Sequence, residues 1–462
     1  MPRLAYPDWT FALCAALSAF ALAAFSPAIF HDGDTYWHIR AGEWMLNHRA
    51  VLHRDVFSYT AAGAPWDAAE WLAEIVMALA WRLAGWAGLH LLFGIAAALA
   101  AAIVAGALRT RMAMTAALLT TVLGLACVTG SLLARPHLLA LPLLALWTTE
   151  LVKARERQRA PRWWLLAVMP LWANLHGSFA FGLVLAAALG LEAALETKMR
   201  GPDVWRWGAF LLAASACALL TPAGIDGLLF PLRLNAMRGL GYLGEWRPSD
   251  FSTISPFEIA LLATVAVLAS GKVKVPWFRV LILLGIMHMA LAHGRHQMIF
   301  GVAAPLLLAP YLGKAWPTAR ETGRPLLAAA VCAALLGLFA ARLMLPVTRS
   351  DDGVSPVAAL AHVTRWERAQ PVLNDYAFGG YLIWKGIKPF IDSRADLYGD
   401  AFLSNYAAIV SPDKQALSST LARRHVRWTV FSARAPVVKL MDAMPGWHRL
   451  YGDAIAVVHV RD

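Results

Sequence analysis

Long apolar runs alternate with short polar segments along most of this chain. A helix needs about 20 predominantly apolar residues to cross the hydrocarbon core of a membrane. The pattern therefore predicts a polytopic α-helical membrane protein with about eleven transmembrane helices. The predicted membrane-spanning segments are 9–30, 87–108, 112–133, 138–152, 163–175, 179–196, 207–221, 256–270, 278–292, 298–312 and 325–345.

The positions of lysine and arginine orient these segments. Cytoplasmic loops of membrane proteins carry an excess of both residues. If the N-terminus is cytoplasmic, every dense basic loop is cytoplasmic, and residues 31–86 and 346–462 lie on the outer side. The basic residues that decide this are Arg109, Arg111, Lys153, Arg155, Arg157, Arg159, Arg162, Lys198, Arg200, Arg206, Lys272, Lys274, Arg279, Lys314, Arg320 and Arg324.

Segment 67–84 is the critical one for this topology. Counting it as a membrane crossing would place every later basic loop outside, so we interpret it as a helix lying on or dipping into the outer surface. Residues 35–48 form a second amphipathic pattern, and both patterns are rich in tryptophan. Such helices suit the plane of the membrane interface. The first outer loop, 31–86, is thus predicted to contain two interfacial helices.

The pattern changes after residue 345. Short β-like runs at 371–374, 389–392, 427–431 and 454–460 alternate with helical patterns at 355–368, 400–411, 413–424 and 434–443. Alternation of this kind is typical of a small α/β unit. The chain is therefore predicted to consist of a transmembrane domain, 1–345, and an outer α/β domain, 346–462.

Composition agrees with a membrane protein. The chain is 59% hydrophobic and only 15% charged, whereas soluble domains carry roughly 25% charged residues. The net charge of +12 lies mostly in short loops between helices, where it acts as a topology signal. We therefore expect no nucleic-acid partner.

Two carboxylates at the mouth of the first apolar segment are the strongest chemical signal. Asp32 and Asp34 directly follow segment 9–30, where an unpaired charge is expensive. Their placement suggests chemistry at the membrane surface, and the Asp-x-Asp spacing can also hold a divalent cation such as Mg²⁺ or Mn²⁺ through oxygen ligands. The structural alternative is that Asp34 is the N-cap of helix 35–48.

The chain resembles the GT-C class of membrane glycosyltransferases, which use polyprenyl-phosphate-linked sugars. The resemblance is carried by an acidic first outer loop with two interfacial helices, and by the residues in 31–38, 65–66 and 70–74. Segments 172–179, 245–250 and 381–394 are similar to an uncharacterised bacterial branch of that class. Better-known members carry an Asp-Glu pair where this chain has Asp-Gly-Asp. The resemblance implies that Asp34 or Asp32 is the general base that activates the acceptor.

A polyprenyl-phosphate donor also requires positive charge at the outer interface. Arginine suits phosphate because its guanidinium group can bind two oxygens at once. Arg135, Arg247 and Arg295 lie at predicted outer loops, and His296 follows Arg295; these four are the candidate phosphate-binding residues. In the structural alternative, each arginine extends along its helix end to the interface or pairs with a carboxylate.

A third group of polar residues is predicted to bind the sugar or the acceptor. A carboxylate in an interfacial helix can bind sugar hydroxyls, and an interfacial histidine can orient an acceptor or transfer a proton. The candidates are Glu70, His137, Asn174, His176 and Glu245. Ion pairs with nearby arginines, or ordinary capping hydrogen bonds, are the alternatives.

Together these expectations describe a multi-pass glycosyltransferase of the bacterial inner (plasma) membrane, with a cytoplasmic N-terminus and a periplasmic C-terminal domain. It would move a sugar from a polyprenyl phosphate to a glycan, lipid or protein, with inversion at the anomeric carbon. The alternatives are a non-catalytic subunit, or a transporter, of a lipid-linked glycan assembly system. A transporter needs a polar path through the membrane, and several predicted segments carry almost no ionisable residue near their centres.

Overall fold

The computed structural model describes residues 9–196, 202–242, 244–318, 324–411 and 413–462. Lys198, Arg200 and Arg320, three of the predicted cytoplasmic charges, lie outside the described residues. The protein is mostly helical, with a small sheet near the C-terminus. The helices up to residue 344 are α1 (Thr10–Phe25), α2 (Asp34–His48), α3 (Trp71–Arg109), α4 (Met114–Ala126), α5 (Pro136–Glu156), α6 (Val168–Leu175), α7 (Phe179–Glu196), α8 (Pro202–Ala218), α9 (Ile225–Asn235), α10 (Pro256–Ala269), α11 (Trp277–Ala292), α12 (Gln297–Ala315) and α13 (Pro325–Met344).

Each predicted membrane-spanning segment overlaps one of these helices. Within the described residues, six helices are long and apolar enough to cross a membrane, and four more apolar helices are shorter. These findings indicate a multi-pass membrane protein, while the number of crossings stays a prediction. Helix α9, in the loop after α8, was not predicted.

Helix α3 contains a sharp break that divides it into 71–83 and 86–109. Gly85 has φ of 55° and ψ of −136°, a conformation that residues with a Cβ rarely adopt. The first half packs against α2 so closely that a Cβ on Gly42 would collide with the backbone carbonyl of Glu74. The break separates the predicted interfacial helix from the predicted membrane-spanning one, although the membrane position of each remains a prediction.

The C-terminal elements form a mixed sheet flanked by helices. The helices are α14 (Val357–His362), α15 (Arg365–Arg368), α16 (Gly379–Trp384), α17 (Ala395–Val410), α18 (Lys414–Arg423) and α19 (Val437–Asp442), and the strands are β1 (Val372–Asn374), β2 (Trp428–Ser432), β3 (Trp447–Gly452) and β4 (Ala456–Arg461). In the described residues the strand order is β1-β2-β4-β3, with β1 parallel to β2 and the other pairs antiparallel.

Three of the four predicted strands are confirmed, and the prediction at 389–392 is wrong. That segment lies outside the sheet and binds the Asn374 side chain, whose Oδ1 accepts from the Phe390 N–H at 2.8 Å and whose Nδ2 donates to the Ile391 carbonyl at 2.8 Å. A side-chain amide thus takes the place of a neighbouring strand. Strand β3 was missed because its residues, half-buried or exposed, lack the strongly apolar signal of the inner strands.

The α/β unit packs directly on the first outer loop. A Cβ on Gly33 would lie 2.7 Å from the Ala377 carbonyl oxygen, and a Cβ on Gly380 would collide with the carbonyl of Gly33. Beside this contact the Tyr36 and Tyr381 rings meet edge to face at 5.1 Å. Gly33, which lies between Asp32 and Asp34, is therefore in van der Waals contact with the start of α16 in the C-terminal unit.

Candidate functional site

A cavity of about 650 Å³ lies between the first outer loop, the starts of α5 and α12, the loop before α10, and the C-terminal unit. It is rich in ionisable groups from distant parts of the sequence. Its lining includes Asp32, Asp34, His38, Glu70, Glu74, Arg135, His137, His176, Glu245, Arg295, Tyr376, Arg394 and Asp396. Phe230 and Leu234 of α9 and Leu133 add apolar surface.

Arg135, at the residue before α5, organises one end of the cavity. Its guanidinium group contacts the Asp34 carboxylate directly and lies 3.3 Å from Asp32 Oδ2. It also donates to Glu245 Oε2 at 2.5 Å. Glu245 in turn lies 3.4 Å from the guanidinium of Arg295. We call Asp32, Asp34, Arg135, Glu245 and Arg295 the arginine centre.

The local fold explains how these two aspartates converge on Arg135. Gly33 is the residue before α2, and the Asp32 side chain accepts a hydrogen bond at 2.8 Å from the Asp34 N–H. Asp32 therefore satisfies a free N–H of the helix start. Asp34 is the first residue of α2, one position after the N-cap residue Gly33, and its carboxylate contacts Arg135.

The charges of the arginine centre support one another. Burial favours the neutral form of Glu245, but Arg135 and Arg295 outweigh it and lower the pKa of Glu245 to about 2. Burial would also lower the pKa of Arg135, yet Asp32 and Glu245 raise it overall. Burial raises the pKa of Asp32 despite Arg135. The Arg295 guanidinium lies over the Trp246 ring at 4.4 Å, a cation–π contact that fixes its plane.

The other end of the cavity is built from carboxyl groups and histidines. His38 Nδ1 lies 3.2 Å from Glu74 Oε1, and its Nε2 lies 3.8 Å from Glu70 Oε2. The second oxygen of Glu70 lies 3.5 Å from His176 Nε2. Buried Glu74 Oε2 finds no hydrogen-bond partner among the described residues. We call Glu70, His38, Glu74 and His176 the histidine centre.

Protonation differs sharply at this second centre. The Ser178 N–H donates to His176 Nδ1 at 3.1 Å, so a neutral His176 carries its proton on Nε2, facing Glu70. Burial lowers the pKa of His38 to about 3 and that of His176 well below its ordinary value. Burial, reinforced by Glu74, raises the pKa of Glu70 to about 8. At neutral pH the histidines are uncharged and Glu70 is largely protonated.

Residues of the C-terminal unit close the cavity. Arg394 is fully buried, with hydrogen bonds of 2.7–2.8 Å to Asp392 and 2.7 Å to Asp55 of the first outer loop. The Trp66 indole N–H donates to Asp396 at 2.9 Å, and the Trp37 N–H donates to Ser393 at 2.9 Å. These bonds tie the outer loop to α17.

The structure brings most of the predicted site residues together. Asp32, Asp34, Glu70, Arg135, His137, His176, Glu245 and Arg295 all line the cavity. Three predicted residues do not: Arg247 is exposed, His296 is half-buried with Nδ1 3.3 Å from the Met289 carbonyl, and Asn174 is buried, accepting from Trp71 Nε1 at 2.5 Å. Asn174 also donates to two backbone carbonyls, which is a structural arrangement.

The candidate site residues predicted from the sequence do not include His38, Glu74 or Tyr376. A helical signal was present, because His38 is four residues after Asp34 and Glu74 is four residues after Glu70, which places each pair on one helix face. Tyr376 comes from the C-terminal unit, and nothing in its local sequence indicates that it faces the first loop.

In the described part of the chain, no group of three or more His, Cys, Asp or Glu side chains is arranged to hold a metal ion. The oxygens of Asp32 and Asp34, the predicted ligands, face the guanidinium of Arg135. This pair fits an arginine, and a divalent cation would have to compete with it.

The fold is similar to that of solved membrane glycosyltransferases of the GT-C class, which confirms the fold that the resemblance predicted. The protein is similar, over 92% of its length and 69% of the other chain, to archaeal oligosaccharyltransferase AglB from Archaeoglobus fulgidus in complex with an inhibitory peptide and a dolichol-phosphate (TM-score 0.59, 11% identity). Another structure of that enzyme, tethered to an acceptor peptide, matches with a TM-score of 0.53 and 10% identity over 92% and 69% of the two chains.

A bacterial enzyme has the same architecture. Arabinofuranosyltransferase AftD from Mycobacteria matches 98% of this chain with a TM-score of 0.51 and 15% identity, while the match spans 41% of that larger protein. At these identities the similarity establishes the fold. No protein-family model and no curated relative matches the chain.

Proposed function

We propose that the protein is a glycosyltransferase that takes a sugar from a polyprenyl phosphate and transfers it to a glycan, lipid or protein acceptor. The observation that carries the proposal is the arginine centre: Arg135 and Arg295 share Glu245 inside a cavity that also holds Asp34. This cavity lies in a fold whose similar structures are glycosyltransferases. The dolichol-phosphate in the AglB complex supports a lipid-linked donor.

The arginines supply positive charge for the departing phosphate. In the proposed reaction the acceptor oxygen forms a bond to the anomeric carbon as the bond from that carbon to the phosphate oxygen breaks. The phosphate keeps the electron pair and the configuration inverts. Arg135 and Arg295 stabilise the negative charge that develops on it, an electrostatic contribution that fixed donors in a dry site make most strongly. Arg247, being exposed, and His296, outside the lining, have at most an indirect part.

The acceptor hydroxyl must lose its proton to a carboxylate. Asp34 is the proposed base and Asp32 the alternative, because both lie at the cavity wall beside the arginines. Glu70, His137, His176 and Glu245 line the same cavity and would contact sugar or acceptor hydroxyls. Asn174 would act on them only by fixing Trp71. A divalent cation, if the protein uses one, would be held by Asp32 and Asp34, and no step above depends on it.

Both the cavity position and the charge distribution support an outward-facing site. The cavity gathers the residues predicted on the outer side, and Arg155 lies at the far end of α5 from Arg135. We therefore propose a bacterial inner-membrane enzyme with a cytoplasmic N-terminus and its cavity on the periplasmic side.

The test is release of free polyprenyl phosphate by the purified protein in liposomes. A panel of polyprenyl-phosphate sugars would be offered with a membrane glycolipid extract, with Mg²⁺, with Mn²⁺ and with EDTA. We expect release from at least one donor, and we expect Asp34→Asn to abolish it. The matched control is Asp226→Asn, at an exposed position of α9, which should keep it. Unchanged release in Asp34→Asn and Asp32→Asn, singly and together, would refute the base assignment. Absence of both release and donor binding for every donor would favour the non-catalytic subunit, whereas donor binding without release would mean that the acceptor is missing from the extract.

A further inference from the structure

A second pocket lies on the C-terminal unit, outside the cavity described above. It is open, has a volume of about 690 Å³, and is formed by α17, α18 and the segment before α17. Its aromatic wall consists of Phe390, Tyr398 and Phe402. The Phe402 ring centroid lies 5.2 Å from that of Phe390 and 5.0 Å from that of Tyr398, with interplanar angles of 37° and 32°. Half-buried Phe402 provides the accessible ring of this wall, because Phe390 and Tyr398 are only 1% and 9% exposed.

The opposite wall is positively charged. Arg423 and Arg424, at the end of α18, both line the pocket and are exposed. Arg423 Nε donates to the Ser419 carbonyl at 3.3 Å, which leaves its terminal nitrogens available. No acidic side chain of the described residues lines this pocket, so the arginines have no carboxylate partner in it, unlike those of the arginine centre.

Two neutral polar groups complete the lining. Asn405 is exposed on α17. Thr420 is 2% exposed, and its hydroxyl finds no hydrogen-bond partner among the described residues. A buried hydroxyl without a partner is uncommon in folded proteins. Here the hydroxyl is closed off from solvent, so exposed Asn405 is the accessible neutral polar group of the lining.

We propose that this pocket binds an anionic oligosaccharide, one that carries carboxylate, phosphate or sulfate groups. Arginine forks match such groups bidentately, the Phe402 ring can pack against the apolar face of a sugar ring, and exposed Asn405 suits sugar hydroxyls. A membrane lipid headgroup offers the same negative charge but no stack of sugar rings for the aromatic wall.

The pocket is connected to the main cavity through a single helix. Ala395 and Asp396, at the start of α17, line the cavity, whereas Tyr398, Phe402 and Asn405 of the same helix line the pocket. An extended glycan held in the pocket therefore lies within a few helical turns of the α17 residues that line the main cavity. In this part the inference rests on the proposed function, because the glycan would be the acceptor.

The experiment measures binding by the full-length protein in nanodiscs, without turnover. The probe is hexagalacturonate, with maltohexaose as the neutral hexamer, and calorimetry gives the Kd. We expect hexagalacturonate to bind with an affinity that falls as salt rises and maltohexaose to bind at least tenfold more weakly. The R423E/R424E double variant should lose at least tenfold in affinity, and Phe402→Ala should weaken both hexamers.

The matched control is R434E/K439E, which makes the same charge change at two exposed residues outside the pocket and should bind within about twofold of the wild type. Equal binding by wild type and R423E/R424E, or no wild-type binding at millimolar hexagalacturonate, overturns the proposal. Binding of dihexanoyl phosphatidylglycerol that R423E/R424E abolishes, without glycan binding, shows a lipid site instead. Failure of the proposed function is distinct, since it appears only as absent polyprenyl phosphate release.

Discussion

The two centres of the cavity contain similar residue types in opposite states of charge. In the arginine centre, two guanidinium groups keep Glu245 ionised, with a pKa of about 2. In the histidine centre, buried Glu70 has a pKa of about 8 and the neighbouring histidines are neutral. The presence of arginine decides the difference. The first centre keeps a carboxylate ionised between two guanidinium groups, and the second is suited to exchanging a proton near neutral pH.

The largest effect should come from Arg135→Ala. It would leave Asp32, Asp34 and Glu245 next to one another with a single nearby arginine, so the centre would repel a phosphate instead of binding it. We expect transfer to fall by at least about 10³-fold, at or above the usual cost of removing one electrostatic donor. Arg135→Lys should keep part of the activity because it keeps the charge.

The matched control for that change is Arg247→Ala, which removes an exposed arginine of the neighbouring loop and should leave transfer within about twofold. Initial rates of polyprenyl phosphate release, with thermal melts to establish folding, provide the comparison. If Arg135→Ala and Arg247→Ala behave alike, the arginine centre does not hold the phosphate.

Glu70→Gln should reduce transfer by about 10²-fold, the lower range for proton transfer by a positioned group. The pH profile reveals its role. A step that needs the Glu70 carboxylate gains rate as pH rises towards about 8, and a step that needs its proton loses rate over the same range. Either inflection should disappear in Glu70→Gln and persist in Glu43→Gln, whose carboxylate pairs with Arg40. A profile unchanged by Glu70→Gln would remove the functional distinction between the centres.

Stability should also depend on pH through Glu70. The folded protein, with a pKa of about 8 for this group, binds its proton more tightly than the unfolded chain, where the pKa is about 4.3. The folded state therefore holds more protons between these values, and its stability falls as pH rises through that window. Thermal melts at pH 5, 6.5 and 8 should show a steeper fall in the wild type than in Glu70→Gln. An equal slope in both would contradict the raised pKa.

Asn174→Ala should have only a small effect on transfer, within about fivefold, because the residue lies outside the cavity lining. It should nevertheless lower the free energy of unfolding by about 1–3 kcal/mol, since Trp71 Nε1 and two backbone carbonyls lose a buried partner. Chemical denaturation of the detergent-solubilised protein checks the stability change. A loss of transfer as large as that of Glu70→Gln would place Asn174 in the histidine centre.

The helical part of the fold was accessible from the sequence because long apolar runs carry a strong signal, and the resemblance in residues 31–74 gave the class. The chemistry of Asp32, Asp34 and Arg135 was also visible, as unusual charges at the ends of apolar segments. Which carboxylate meets which cation was not visible. That depends on contacts between residues 100 or more positions apart, such as Arg135 with Glu245, and no local pattern encodes them.

The misleading signals have physical causes too. Arg247 and Arg295 look equivalent in sequence, since both lie in predicted outer loops beside aromatic residues or histidines. In the folded protein Arg247 is exposed to solvent, whereas Arg295 lies over the Trp246 ring. Segment 389–392 has the apolar composition of a strand, but Asn374 binds its backbone with a side chain. In both cases the outcome depends on a partner distant in sequence, Trp246 or Asn374, which the local sequence does not indicate.

The contact of Gly380 with Gly33 has a consequence for the order in which the cavity is assembled during synthesis. Asp32 and Asp34 are synthesised more than 300 residues before Tyr376, Ser393 and Arg394, which close the cavity over them. The helices before the C-terminal unit are therefore made while the cavity still lacks one wall. The cavity closes only when the C-terminal unit has folded onto residues 31–86. We therefore expect the protein to have no transfer activity before the C-terminal unit has folded.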